Sequence, residues 1–213
     1  MEIIPVINCS DTHCVEKRMR IISALGASWV QIDVSDGIFS PVELWNEKSQ
    51  ISNLKSQISK FPGINMEVHL MVRHPLDVVR EWIDFGAKRI IFHAETITPE
   101  EIEVIKEKVQ IGIALLPDTP AHAFDKFSDI INFIQVLAVH QGFSGQIFND
   151  EMIQKIKSLR DKYPHIEIEV DGGVTQHVAE KIKHAGATIA TAGSFIFDSK
   201  DPNGAYKKLR EAE

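Results

Sequence analysis

Ile166-Glu167-Ile168-Glu169-Val170-Asp171-Gly172-Gly173 is the stretch that decides how this chain is organised. Apolar and acidic residues alternate strictly, which marks a strand with one face in an apolar layer and the other turned toward polar groups. The strand ends on a carboxylate, and two glycines follow at once. Two other runs end in the same way. Val30-Gln31-Ile32-Asp33-Val34 leads into Ser35-Asp36-Gly37, and Met66-Glu67-Val68-His69-Leu70 leads into a turn. Two carboxylates and an imidazole at the ends of separate strands read as one constellation.

Working outward, short β-branched runs at 3–8, 29–34, 65–70, 89–93, 110–115, 133–138, 166–170 and 188–192 alternate with helical patterns such as 14–25, 75–85, 99–108, 150–163 and 175–185. Strands alternating with helices imply right-handed βαβ units and a parallel sheet. Eight such units in 213 residues suit a (β/α)8 TIM barrel at the compact end of its range, within the α/β class. A doubly wound open sheet is the competing architecture, but it needs a topological switch point of which the sequence gives no sign. Gly26-Ala27, Gly86-Ala87 and Gly186-Ala187 each follow a helical pattern and precede a strand, as repeated units with left-handed helix ends would. No linker or change of composition marks a second domain, so residues 1–213 are expected to form a single barrel domain.

A net charge of −7 argues against non-specific nucleic-acid binding. It leaves room for a phosphorylated small molecule, because backbone N–H groups can hold phosphate. Cys9 and Cys14 are too few and too close in sequence for a disulfide framework, and a reducing cytoplasm is the expected setting. The first residues lack the basic and apolar regions of a signal peptide, and no segment is apolar for long enough to span a bilayer.

Residues two apart share a strand face. Gln31 and Asp33 therefore point together, as do Glu67, His69 and Met71, and Glu167, Glu169 and Asp171. The opposite set is apolar and must pack on helices, so the polar set faces the barrel interior. Asp33, His69 and Asp171 lie at the C-terminal strand ends, where barrel active sites gather. Glu67, Glu167 and Glu169 lie deeper, as structural hydrogen-bonding groups. Glycine-rich turns follow the sixth, seventh and eighth strands, at Gly142–Gln146, Gly172-Gly173 and Gly193-Ser194. Together they read as a phosphate site on one rim, with Ser194 opening a short helix.

In these residues the chain resembles the ribulose-phosphate 3-epimerase family along nearly its whole length. The segments that carry the resemblance are Val30–Gly37 with Phe39 and Pro41, Val68–Val72, Phe92–Glu95, Gly142–Gln146, Ile168–Gly173 and Ala192–Ser194. The resemblance implies a barrel of the ribulose-phosphate-binding type that interconverts ribulose 5-phosphate and xylulose 5-phosphate by inverting C3. It implies that Asp33 and Asp171 are the two catalytic bases, working through an enediolate. It further implies a divalent metal (Zn, Fe, Mn or Co) held by Asp33, His69 and Asp171, and by Gln31 if that residue can ligate. Substrate contacts are implied for His69 and Met71, with the phosphate held by Gly142, Phe143, Ser144, Gly145, Gln146, Gly172, Gly173, Gly193 and Ser194. The expected partner is a phosphorylated ketose, with neither nucleic acid nor membrane, and the chain is expected to form a homo-oligomer.

Several positions depart from the family pattern. Gln31 stands where the family carries a metal-ligating His, and a neutral amide oxygen binds zinc-like ions less well than imidazole does, so metal binding is expected to be weak or lost. Val6 replaces a Ser, although Asn8 shares its strand parity. Ser35 and Leu137 replace methionines that line the reacting centre. Val42 replaces an Asn, Trp45 is unusual, and His140-Gln141 replaces an acidic or Asn residue followed by Pro. His93 is read as a core histidine, with compensation for the missing ligand as the alternative. The alternative function is a sugar-phosphate-binding barrel that has lost epimerase activity or acts on another sugar phosphate. Related barrels that decarboxylate or condense sugar phosphates use Asp-x-Lys-x-x-Asp on the third strand. Glu67–Val72 has no lysine, which argues against that chemistry.

Overall fold

The structure is a computed structural model describing residues 1–143 and 145–212. Eight parallel strands form a closed barrel: β1 (Glu2–Ile7), β2 (Trp29–Asp36), β4 (Asn65–Met71), β5 (Arg89–His93), β6 (Gln110–Leu115), β7 (Phe133–Leu137), β8 (Glu167–Asp171) and β9 (Ile189–Ala192). Each pairs with its neighbours in parallel, and the β1–β2 pairing closes the ring, which removes the open-sheet alternative. A two-residue strand, β3 (Glu43–Leu44), adds antiparallel to β2 at Ser35–Asp36 and forms part of the long loop after it. Neither this strand nor the helix after it, α2 (Lys48–Ile58), is among the elements expected from the sequence.

The remaining helices are α1 (Thr12–Leu25), α3 (Leu76–Phe85), α4 (Pro99–Glu103), α5 (Met152–Lys162), α6 (Gln176–Ala185), α7 (Ser194–Phe197) and α8 (Pro202–Arg210). A 3-10 turn at Ala121–Phe127 stands where an α-helix would follow β6. The helix expected at 99–108 stops at Glu103, because β-branched Val104 and Ile105 lead straight into the turn before β6. Gly26, Gly86 and Gly186 all occupy the left-handed position that ends a helix, with φ of 66, 115 and 108°. Cys9 and Cys14 are joined by a disulfide across the turn between β1 and α1, a single local link. Among the described residues no helix is long and apolar enough to cross a membrane.

The main apolar layer lies between sheet and helices. The outward residues Val30, Ile32, Ile90, Phe92, Ile113, Ile134, Val136, Ile168 and Val170 pack with Met19, Ile22, Trp82, Leu159 and Ile182, all fully or almost fully buried. A separate small cluster of Ile91, Ala114 and Phe133 belongs to the opposite strand faces and fills the barrel interior. The interior is otherwise polar. Arg89 stacks 4.1 Å over the Trp29 ring and reaches Glu67 and Glu167, each at 3.5 Å. Glu67 and Glu169 are fully buried, whereas Glu167 is exposed. Burial raises both buried carboxyls, Glu169 to about 8.

Candidate active site

Strand pairing itself brings the acidic constellation together. Asp33 lies opposite His69 in the β2–β4 register, and Asp171 opposite Leu137 in β7–β8. Across the barrel, Asp33, His69 and Asp171 each offer one ligand-type atom within 4.8 Å of the others. His69 Nδ1 is 3.6 Å from Asp33 Oδ1 and 3.4 Å from Asp171 Oδ2. The two carboxylates come from strands far apart in sequence yet point at one spot.

Each carboxylate is held by donors. Asn8 Nδ2 donates to Asp33 Oδ2 at 2.9 Å, and Gln31 Nε2 donates to Asp33 Oδ1 at 2.8 Å and Asp171 Oδ2 at 3.2 Å. The Thr191 hydroxyl donates to Asp171 Oδ1 at 2.6 Å. Gln31 takes its orientation from Gln135 in β7, whose Nε2 donates to Gln31 Oε1 at 3.0 Å.

The imidazoles form a second layer. His69 Nε2 meets His93 Nε2 at 2.9 Å, and His93 Nδ1 lies 3.6 Å from Glu95. Burial is the largest influence on His69 and opposes its charge, but the two aspartates together outweigh it and raise the ring to about 9. Burial, helped by the charge on His69, lowers His93 to about 4. One ring is therefore cationic near neutrality and the other neutral, which fits a single N–H shared between the facing nitrogens. Burial would raise Asp171, and the charged His69 more than offsets it. His93 is thus the core histidine expected, fully buried and hydrogen-bonded to His69.

Above the aspartates a cavity opens toward the strand ends. Met71, Gly142, Phe143, Gly145, Gln146, Gly172, Gly173, Gly193 and Ser194, all expected from the sequence, line it together with Asp33 and Asp171. Val6 and Leu137, two of the departures from the family pattern, line it as well, while Ser35 is buried away from it. Ser144 lies outside the described residues. Two expectations need correction. His69 does not reach the cavity wall: it is fully buried, so it touches the aspartates and not the substrate space. Gln31 presents its nitrogen to the aspartates rather than its oxygen, so as oriented it does not ligate.

The rim is cross-braced. Gln146 donates to the carbonyls of His140 and Phe143 at 2.7 and 2.9 Å, which folds the loop on itself, and Gln141 ties it to the Phe39 carbonyl at 3.0 Å. The Asp36 carboxylate accepts from the backbone of Ile38, Phe39 and Arg73, pinning the loop after β2 to the end of β4. Gly173, at φ 67°, packs so closely on the next loop that a Cβ there would meet the Phe148 nitrogen at 2.4 Å.

Arg18 of α1 also lines this cavity. Its guanidinium stacks 4.7 Å from the Phe197 ring centre and makes no ion pair within 4.0 Å among the described residues. Burial lowers its pKa, with Asp198 and Asp33 acting the other way. The sequence carried a signal for it, since Arg18 interrupts the buried stripe Val15, Met19, Ile22. Gln135 had one too, as the lone polar residue in Phe133–Leu137.

The residues present fit a divalent cation. Two carboxylate oxygens and one imidazole nitrogen converge with His69 Nδ1 lacking a hydrogen-bond partner, and three protein donors are what a catalytic metal site with an open position uses.

A profile of the Ribulose-phosphate 3 epimerase family matches residues 2–197. The chain is similar to a ribulose-phosphate 3-epimerase, cytoplasmic isoform, of Oryza sativa subsp. japonica, with 34% identity over 88% of this chain and 83% of the relative. It is likewise similar to a ribulose-phosphate 3-epimerase of Chlamydia trachomatis, with 31% identity over 96% of this chain and 90% of the relative. Among solved structures, 3-hexulose-6-phosphate synthase from Salmonella typhimurium superposes with a TM-score of 0.72, covering 100% of this chain and 98% of the other at 15% identity. That likeness is one of fold alone.

Proposed function

The chain belongs to the ribulose-phosphate 3-epimerase family, an isomerase class, and on that premise we propose that it interconverts ribulose 5-phosphate and xylulose 5-phosphate, one of Asp33 and Asp171 removing the C3 proton and the other returning a proton to the opposite face. The observation that carries this reading is the convergence of a buried and a half-buried carboxylate, Asp33 from β2 and Asp171 from β8, at the floor of a glycine-walled cavity. Inversion at carbon needs a base on one face and an acid on the other, and two carboxylates from different strands of the barrel can supply that pair.

The partners of the two acids differ in a way that suits the two roles. Both Asp33 oxygens accept from amide N–H donors, which hold this side chain in place as the base. Thr191 donates to Asp171 through a hydroxyl, which can turn and accept from the acid form. Asp171 would return a proton to the other face, and the roles exchange in the reverse reaction. A proton next to a ketone is a weak acid, so the oxyanion formed on its removal must be stabilised. Asp33, His69 and Asp171 would hold a divalent ion whose Lewis acidity supplies that stabilisation.

In this reading the phosphate lies along the loops at Gly172-Gly173 and Gly193-Ser194, where backbone N–H groups meet it. Arg18, on the same wall and without an ion pair among the described residues, adds a positive charge.

The test is conversion of ribulose 5-phosphate in D2O, followed by proton NMR, on protein of measured metal content. Deuterium enters C3 and xylulose 5-phosphate forms if the reading holds. Tight binding of the sugar phosphate with no C3 exchange would instead make this a binding barrel.

A further inference from the structure

Two side-chain amides in the barrel interior stand between carboxyl groups. Gln135 Nε2 lies 2.7 Å from Glu169 Oε1 and 3.0 Å from Gln31 Oε1, and Gln31 Nε2 then reaches Asp33 and Asp171 at 2.8 and 3.2 Å. Gln31, Gln135 and Glu169 have no solvent exposure, so no bulk water can substitute for any of these partners. Strand register sets the arrangement, because Gln135 pairs with Glu169 across β7–β8 and their side chains emerge together on the inner face.

We propose that Gln135 is a positioning residue that fixes Gln31 with its amide nitrogen toward the two aspartates, making residue 31 a hydrogen-bond bridge between them and keeping its oxygen out of the metal-ligand set. This rests on Asp33 and Asp171 being the reacting pair. The argument is one of matching donors to acceptors. If Gln31 turned over, its oxygen would face two carboxylate oxygens and its nitrogen would face the nitrogen of Gln135. Turning Gln135 as well would still leave the Gln31 oxygen against the same two carboxylates. Every alternative creates a buried mismatch, whereas the observed chain leaves only Gln135 Oε1 unpartnered among these amide atoms.

The consequence is chemical. An amide nitrogen has no lone pair to give a cation, so the site offers three donors instead of four. The Gln31 N–H groups also point into the space between the aspartates, where they compete with a cation for the same oxygens. Free of Gln135, Gln31 can swing its oxygen toward that space once a cation stands there to receive it. Gln135→Leu, close in volume and without a donor, releases it.

The experiment is chelator competition with Mn²⁺ on the wild type, Gln135→Leu, Gln31→Leu and the double variant. Gln135→Leu is expected to tighten Mn²⁺ binding about tenfold, and by less than twofold when Gln31 is already Leu, since coupling of this kind is read from a double-mutant cycle. Equal effects in both backgrounds, or none, overturn the proposal. Exchange of the Gln31 side-chain amide protons, followed by nitrogen-edited NMR on metal-free protein, gives a reading that needs no ion. Those protons are protected in the wild type and exchange at least tenfold faster in Gln135→Leu. If that variant does not fold, Gln135→Met takes its place, and wild-type protons exchanging as fast as those of free glutamine overturn the proposal alone. Neither readout involves turnover, so absent C3 exchange with an intact coupling sinks the epimerase reading and leaves this one standing.

Discussion

Loading the metal-free protein with a divalent ion near neutral pH is expected to expel a proton from His69. Burial disfavours the imidazolium, but Asp33 and Asp171 at 3.6 and 3.4 Å raise the ring to about 9, so at pH 7 ~99% of it is charged. The nitrogen that faces the aspartates is the one a cation needs, and a protonated imidazole cannot ligate. Below pH 9 the apparent Mn²⁺ affinity is therefore expected to rise about tenfold per pH unit. That amounts to about a hundredfold between pH 7 and 9, or about 3 kcal/mol, and levels off beyond. Calorimetric titration at pH 7.5 in two buffers of different ionisation enthalpy reads the proton directly: about one is released per ion bound. His69→Gln, which has no such proton, is expected to abolish the release and flatten the profile. Buffer-independent heats in the wild type, or an affinity that changes less than twofold per pH unit, would refute the reasoning. A linked effect has a defined sign. A folded-state value above the ordinary histidine value of about 6.5 contributes stability that is complete below that pH and is lost as pH rises through 9. The metal-free protein is thus expected to melt at lower temperature at pH 9 than at pH 7, and added Mn²⁺ to restore most of the difference.

Asp33→Asn and Asp171→Asn are each expected to abolish C3 exchange in D2O while changing affinity for a phosphate ligand by no more than tenfold, about 1.4 kcal/mol; exchange at the wild-type rate in both variants would end the two-base assignment. Gln31→His adds a nitrogen donor where an amide now competes, so chelator competition is expected to show tighter Mn²⁺ binding, and unchanged stoichiometry and affinity would count against three-donor ligation. Arg18→Met removes the unpaired cation from the cavity wall and should weaken competitive inhibition by inorganic phosphate about tenfold, with kcat moving less than KM; an unaltered inhibition constant would confine Arg18 to its stacking on Phe197. Gly173→Ala places a methyl against the backbone of Phe148 at a positive φ, and is expected to lower the melting temperature and phosphate affinity together.

What the sequence determined by itself is local in origin. Period-two alternation in Ile166–Asp171 and Val30–Val34 sorts inward from outward residues without knowledge of any neighbour, because side chains on a strand alternate whatever it pairs with. Gly-Ala at three helix ends gave the βαβ repeat, and the two together gave the barrel, the facing aspartates and the glycine rim. The elements that were missed carry weak local signals: α2 is a polar helix, and β3 is two residues held only by its pairing with β2. Tertiary structure alone decided which way the Gln31 amide points. Its orientation depends on Gln135, 104 residues away, and through it on Glu169. A side-chain amide can be donor or ligand, and the choice is made by the partners that burial leaves within reach. The same holds for His69 and His93, identical side chains on neighbouring strands. One is cationic because two carboxylates face it, and the other is neutral because burial, helped by the charge on the first, disfavours its protonation.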